Sequence, residues 1–243
     1  MRKLLLLVFF SLSSLSGLHA AQAETVNFTT EEYPPFNYRE GKTPMGAAVE
    51  QVEKIMTDIG IDYSIDVLPW ARAYNQALTV PMTCVFVTAH NDARDKLFKW
   101  VQPLLIDRNV LIKHTGSPVT ADTLDEARNY LVGTWRGDYT ETVLRQANFP
   151  RIDVGADFRA TLKKLMSDRI DLMPISVLYF DKLKKEGDAV EQVTVLSEQP
   201  MGIACQKDFP DDLLTKMQAA LDKLIADGTQ KQIFLKYGLN LGN

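Results

Sequence analysis

Histidine and cysteine are scarce: 243 residues carry three of the first and two of the second. His19 lies near the N-terminus, so His90 and His114 are all that the body of the chain offers. That is too few for a multi-histidine metal site. Cys84 and Cys205 stand too far apart for a Cys-x-x-Cys pair. The metalloprotease histidine pair, Gly-x-Ser-x-Gly, the phosphate-loop lysine motif and Gly-x-Gly-x-x-Gly are all missing. No metal or cofactor is therefore expected, and motifs point to no enzyme class. Carboxylates are numerous, but no spacing singles out a catalytic pair. Internal repeats and low-complexity linkers are absent. Long apolar runs are absent too: Leu4 to Phe10 falls well short of the about 20 residues that a membrane-spanning helix needs.

That short run has a telling context. Arg2 and Lys3 precede it, and a Ser/Gly/Leu stretch leads from it to Ala21-Gln22-Ala23. A basic start, a short apolar core and a small-x-small site in this order make residues 1–23 a cleavable export signal. A buried segment or an N-terminal anchor is the alternative. No cysteine follows the apolar run, so a lipid anchor is not expected. The exported chain is expected to begin near Glu24 and to be soluble outside the inner membrane. Loss of the signal removes two basic side chains and no acid, so the net charge falls from −4 to −6. Such a charge argues against nucleic acid and anionic membranes as partners. About 220 remaining residues allow one large domain or two small lobes, and a 46% apolar content can fill a core. In an oxidising compartment Cys84 and Cys205 form a disulfide or remain as buried thiols in strands.

From Val26 onward, short β-rich runs alternate with amphipathic helices. Strands are expected at 26–29, 63–68, 84–88, 109–113, 131–135, 152–154, 170–175, 193–196 and 202–205. Helices are expected near 46–59, 71–78, 123–129, 138–147, 158–166 and 177–185, with a short one after the cap Asn91. The last and clearest helix opens at Pro210 and stops at Gly228, with Leu213, Leu214, Met217, Leu221, Leu224 and Ile225 as its apolar stripe. Strand–helix alternation implies mostly parallel sheets under helices. If there are two lobes, the segments 107–113 and 196–206 are the crossings.

Several residues fall at the carboxyl ends of expected strands, where open α/β sheets bind ligands. Tyr33 and Phe36 bracket a Pro-Pro turn, and Trp70 follows Pro69, with Arg72 two residues on. These aromatics either wall a ligand or plug the top of a core. Arg94 opens a short helix and suits a carboxylate grip, or it pairs with Asp92 or Asp95 in solvent. Gly133 to Tyr139 is a strand–turn–helix junction whose free N–H groups favour an anion, unless Asp138 caps them.

Tyr33-Pro34-Pro35-Phe36-Asn37-Tyr38, followed by Gly41 and Gly46 before a helix, resembles the start of the bacterial extracellular solute-binding proteins of family 3. These are the periplasmic receptors of polar amino acid ABC transporters. The likeness continues through Arg94, Phe98-Lys99-Trp100-Val101-Gln102-Pro103-Leu104, Val132-Gly133 and Arg169-Ile170-Asp171-Leu172. It ends at Phe234-Leu235-Lys236-Tyr237-Gly238-Leu239, so the ordered set covers the chain after the signal. The resemblance implies an α/β, periplasmic-binding-protein type II (Venus flytrap) fold, with two α/β lobes joined by two crossing strands. Lobe 1 would be residues 24–110 and 200–243, and lobe 2 residues 111–199. It further implies a monomer that binds a small polar ligand, with or without a carboxylate, and docks on an inner-membrane ABC permease.

Carried over by position, Arg94 matches the arginine that grips a ligand carboxylate, and Tyr33 and Trp70 match the flanking rings. The position of the family's ammonium-binding aspartate falls on Ser176. The Gly-Thr-Thr helix start that helps hold the carboxylate reads Gly137-Asp138-Tyr139, and the Ser-rich strand end before the arginine reads Val87-Thr88-Ala89-His90. The expected ligand set is thus Tyr33, Trp70, Arg72, Arg94, Asp138, Tyr139 and Ser176, with no catalytic or metal-binding residue. Two other functions fit the same resemblance. One is an enzyme like the cyclohexadienyl dehydratases, with Asp138 or Glu32 as general acid. The other is a ligand sensor without transport.

Overall fold

The computed structural model describes residues 25–239; the expected export signal lies outside the described residues. Ten strands and nine helices are formed among them. The first part of the chain holds β1 (Val26–Thr30), β2 (Tyr38–Glu40), β3 (Thr43–Met45), α1 (Ala47–Ile59), β4 (Tyr63–Val67), α2 (Trp70–Thr79), β5 (Thr83–Ala89) and α3 (Asp92–Asp95). The middle holds β6 (Phe98–His114), α4 (Leu124–Ala127), β7 (Val132–Trp135), α5 (Tyr139–Gln146), β8 (Ile152–Gly155), α6 (Phe158–Met166), β9 (Met173–Ser176) and α7 (Val177–Glu186). β10 (Val190–Gln206), α8 (Asp211–Ala226) and α9 (Thr229–Lys236) close it.

The main sheet has the order β4-β1-β5-β10-β6-β9. β1 runs parallel to β4 and β5, while β10 lies antiparallel between β5 and β6, and β6 antiparallel to β9. The expectation of mostly parallel sheets is therefore corrected to a mixed sheet. The reason lies in β6 and β10, each 17 residues long and paired with one another along most of their length. At one end of the pair β10 joins β5 through Met201–Cys205, and at the other β6 joins β9 through Asn109–Ile112. The expected crossings 107–113 and 196–206 fall inside these strands. The two separate strands expected at 193–196 and 202–205 are one, interrupted only by register shifts around Gln192–Thr194, Val195–Ser197 and Met201–Ile203.

Local chemistry explains the helices. α1 buries Val49, Val52, Ile55 and Met56, each fully buried side chain contributing roughly 1.5–3 kcal/mol. Gly60 stops it with φ 67°, and its N–H bonds Met56 and Thr57 carbonyls. Asn91 caps α3 as expected, its side chain accepting from the Arg94 N–H at 3.2 Å. α8 buries Leu213, Met217, Leu221 and Leu224, but Ile225 is exposed. Gly228 does not end the helical region: it caps α9, which the sequence reading did not anticipate. Cys84 and Cys205 are direct cross-strand partners on β5 and β10 and are joined as a disulfide, so the free-thiol alternative falls. No helix among the described residues is long and apolar enough to cross a membrane.

Candidate functional site

Polar and aromatic side chains from several elements converge between the two lobes. The turn after β1 supplies Glu31, Tyr33 and Asn37; the start of α2 supplies Trp70; the segment after β5 supplies Arg94. From the crossing strand β6 come Asp107 and Asn109, and from the β7–α5 junction come Trp135, Asp138 and Tyr139. Together they enclose a cavity of about 30 Å³, and the lobes are closed around it.

Contacts of the chain with itself hold this closure. The carbonyl of Gly137 accepts the Trp70 indole N–H at 2.8 Å and an Arg94 guanidinium N–H at 3.0 Å. Gly137 has φ 76°, a conformation glycine adopts without steric cost, and this turns its carbonyl across the cleft. The Ser176 backbone N–H donates to the Tyr33 hydroxyl at 2.8 Å. The Tyr33 ring enters an aromatic cluster of the second lobe, 4.6 Å from Phe158 and 5.1 Å from Tyr179 between centroids. At the rim, Glu32 after β1 pairs with Arg159 of α6 at 2.8 Å.

Arg94 is 7% exposed, and its guanidinium carbon lies 5.0 Å from the Tyr74 ring centroid and 5.5 Å from that of Trp70. A further N–H reaches the Ala89 carbonyl at 3.4 Å. Asp92 and Asp95 do not pair with it; Asp95 bonds His90 instead. Arg94 is thus a buried cation facing the cavity, held by carbonyls and π faces.

Three carboxyls share that space. Asp107, 4% exposed, accepts from the Ser176 hydroxyl and, at 2.7 Å, from the Asn109 side-chain amide. Burial pushes its pKa up to about 6, against the pull of those two hydrogen bonds. Asp138 caps α5, accepting from the Thr140 N–H at 2.9 Å and from the Thr140 hydroxyl. Burial raises it too, opposed by Thr140 and by the charge of Arg94. Glu31 is partly exposed as a residue, but its carboxyl lies among buried groups. Burial and then the neighbouring Asp138 drive its pKa well above the carboxylate range. The Trp135 indole N–H faces that carboxyl without closing a hydrogen bond. Tyr33 and Tyr139 are held firmly protonated, chiefly by burial and then by Asp107.

Of the seven residues expected in the site, Tyr33, Trp70, Arg94, Asp138 and Tyr139 line the cavity. Ser176 stands behind it as the α7 cap and as a donor to Asp107. Arg72 does not belong: α2 turns it outward, and it is exposed. Glu32, the other candidate acid, faces the rim and its ion pair, while its neighbour Glu31 faces inward. The reading missed Glu31, Asn37, Asp107 and Trp135. Burial along β6 marks Asp107, an acid buried two residues before a buried Asn109, with the exposed Arg108 between them. Val87 of β5 also lines the cavity at φ 56°, costly for a β-branched residue. It sits where the β5–β10 register shifts between Gly202 and Ile203, a bulge at the edge of the site.

Two α/β lobes, two long crossing strands and an enclosed interlobe cavity define a periplasmic-binding-protein fold. The model of the bacterial extracellular solute-binding proteins, family 3, matches residues 26–240, and the chain belongs to that family. Solved structures share the fold at low identity. A histidine kinase sensor domain with similarity to periplasmic binding proteins superposes with TM-score 0.79 at 17% identity, over 88% of this chain and 95% of the other. An arginine-specific periplasmic binding protein of Salmonella typhimurium gives 0.77 at 18%, over 88% and 99%. An ancestral amino acid-binding protein, described as a precursor of cyclohexadienyl dehydratase, gives 0.76 at 16%, over 88% and 95%. None of the curated proteins matches the chain in sequence.

Proposed function

We propose that the chain is an exported periplasmic receptor. It captures an amino acid or a related small polar solute in the interlobe cleft and presents it to an inner-membrane ABC permease. The lobes are taken as residues 24–110 with 200–243, and residues 111–199. The carrying observation is the cavity itself: buried charges of both signs and aromatic walls from both lobes meet at one enclosed point. Burying Arg94, Asp107 and Asp138 costs free energy that a solute with complementary charges offsets. Closure then gives a transporter a surface that the open form lacks.

Motifs give no catalytic set, and a receptor returns its solute unchanged. The raised pKa of Asp107, Asp138 and Glu31 keeps a second reading in view, since protonated carboxyls in a closed cavity serve as general acids. One experiment separates the two. Residues 24–243 are screened by thermal shift against amino acids, amines, organic acids and cyclic carboxylates, and each stabilising compound is then recovered for mass spectrometry. A hit recovered intact supports the receptor; a hit recovered as a new compound replaces it with an enzyme. A chain that no small solute stabilises is not a receptor of this kind.

A further inference from the structure

The charges around the cavity do not balance. Glu31, Asp107 and Asp138 present three carboxyls to the single guanidinium of Arg94. Arg94 gives two of its five guanidinium N–H groups to the carbonyls of Ala89 and Gly137 and lies against the faces of Trp70 and Tyr74. The Gly137 carbonyl, which also takes the Trp70 N–H, competes with an anion for one of those N–H groups. The start of α5, a second natural seat for an anion, is filled by the Asp138 side chain. An incoming anion therefore meets a partly engaged guanidinium with an acid beside it.

The needs of a cation are met instead. Among the described residues Asp107 forms no ion pair; its carboxylate is held by the Ser176 hydroxyl and the Asn109 amide alone. Both Asp107 oxygens accept one hydrogen bond each and keep lone pairs for another donor. Asn37, 1% exposed, spends its amide N–H on the Glu31 carbonyl and leaves its own Oδ1 without any donor. Tyr33, Phe36 and Trp135 add π faces, which attract ammonium and guanidinium groups. The carboxyls are too dispersed for a metal: among the described residues no three acid, histidine or cysteine side chains are grouped to hold one.

We propose that the solute is a small organic cation of net positive charge, with its ammonium or guanidinium group bonded to Asp107 on the crossing strand β6. This rests on the receptor reading and narrows it. Ser176, at the start of α7, donates its hydroxyl to Asp107, so the negative charge on the crossing strand is held by a residue of the second lobe. There it touches both lobes at once, and a cation bonded to it ties capture to closure. The same chemistry belongs to simple amines and to basic amino acids.

Calorimetric titration of residues 24–243 with matched compounds tests it. Arginine is paired with citrulline, which keeps the shape and loses the charge; agmatine is arginine without the carboxylate; lysine is paired with glutamine, and putrescine completes the set. At least one cation should bind ten times or more tighter than its neutral partner, and Asp107→Asn should lose tenfold or more for that cation. Agmatine at least as tight as arginine identifies a simple amine, and arginine tighter than agmatine identifies a basic amino acid; both support the proposal. Citrulline or glutamine binding as tightly as the cations overturns it and leaves the receptor reading standing. So does unchanged cation affinity in a folded Asp107→Asn protein. The matched pairs on the unaltered chain decide the matter even if that variant does not fold. Silence from every cation, with a neutral or acidic solute bound, overturns it as well; silence from every solute tried in the wider screen overturns both readings.

Discussion

Reduction of the Cys84–Cys205 bond is the perturbation whose size follows most directly from the chain. The bond closes a loop with a sequence separation of 121 residues, from β5 through the entire second lobe to the end of β10. Chain-entropy reasoning assigns such a loop about 5 kcal/mol of stabilisation at 25 °C, acting through the unfolded state, and native bonds typically deliver about 2–5 kcal/mol. Both cysteines are fully buried, so reductant acts only after unfolding. The protein is therefore unfolded in urea with and without reductant and followed by circular dichroism. The reduced chain should lose about 2–5 kcal/mol of unfolding free energy and unfold at a lower urea midpoint with a steeper slope, because its unfolded state is less compact. Neither cysteine lines the cavity, so the reduced but folded protein should keep its solute affinity. Coincident unfolding curves would refute the entropic argument, and lost affinity in the folded reduced protein would refute the separation of bond from site.

Three further outcomes are expected. Trp70→Phe keeps a ring but loses the N–H that reaches the Gly137 carbonyl at 2.8 Å; calorimetry should show affinity down about threefold to tenfold, the worth of about 1 kcal/mol. Gly133→Ala places a methyl 2.2 Å from Ile170 Cδ1 within the packed second lobe; urea unfolding should show a loss of about 1–3 kcal/mol. The third concerns pH. Asp107 faces Ser176 and Asn109, with Asp138, Tyr33 and Tyr139 as its charged or titrating neighbours. Its closed, solute-free pKa is raised to about 6, so the closed form holds a proton that the unfolded chain releases lower down. That carboxyl's contribution is then most favourable below the ordinary aspartate pKa and is lost as pH rises through about 6. A bound cation reverses the preference, so calorimetry from pH 5 to 8 should show cation affinity rising with pH and proton release on binding. A flat profile contradicts that role for Asp107.

Much of the fold was legible because periodicity and caps are local. Gly60 ends α1 and Asn91 caps α3, both as the residue types require. β6 and β10 were underestimated because Pro103, Pro200 and the polar residues between them look like breaks, whereas register shifts absorb them in a long antiparallel pair. α9 was missed because Gly228 signals an end and a beginning equally well. In the site, position after a strand pointed to Tyr33, Trp70, Arg94 and Asp138 but left each open between lining a cleft and packing, pairing or capping; the family resemblance chose among them. It failed for Arg72, because a helix start carries alternate side chains to solvent within one turn. It also chose Glu32 over Glu31, since adjacent residues in a turn face opposite ways and only the packing of the second lobe decides which is inside. Asp107 was hidden for a different reason. A crossing strand reads as a linker, and its role depends on Ser176, nearly 70 residues away in sequence.

The central claim is that a solute is held in the closed cavity between the lobes. The most direct measurement is a crystal structure of residues 24–243 with the compound that stabilises them most. The account predicts the solute enclosed there, with polar atoms within hydrogen-bond distance of Asp107 and rings of both lobes against it. A solute seated on an outer surface, or in the cleft without contact to Asp107, Arg94 or Trp70, would contradict it.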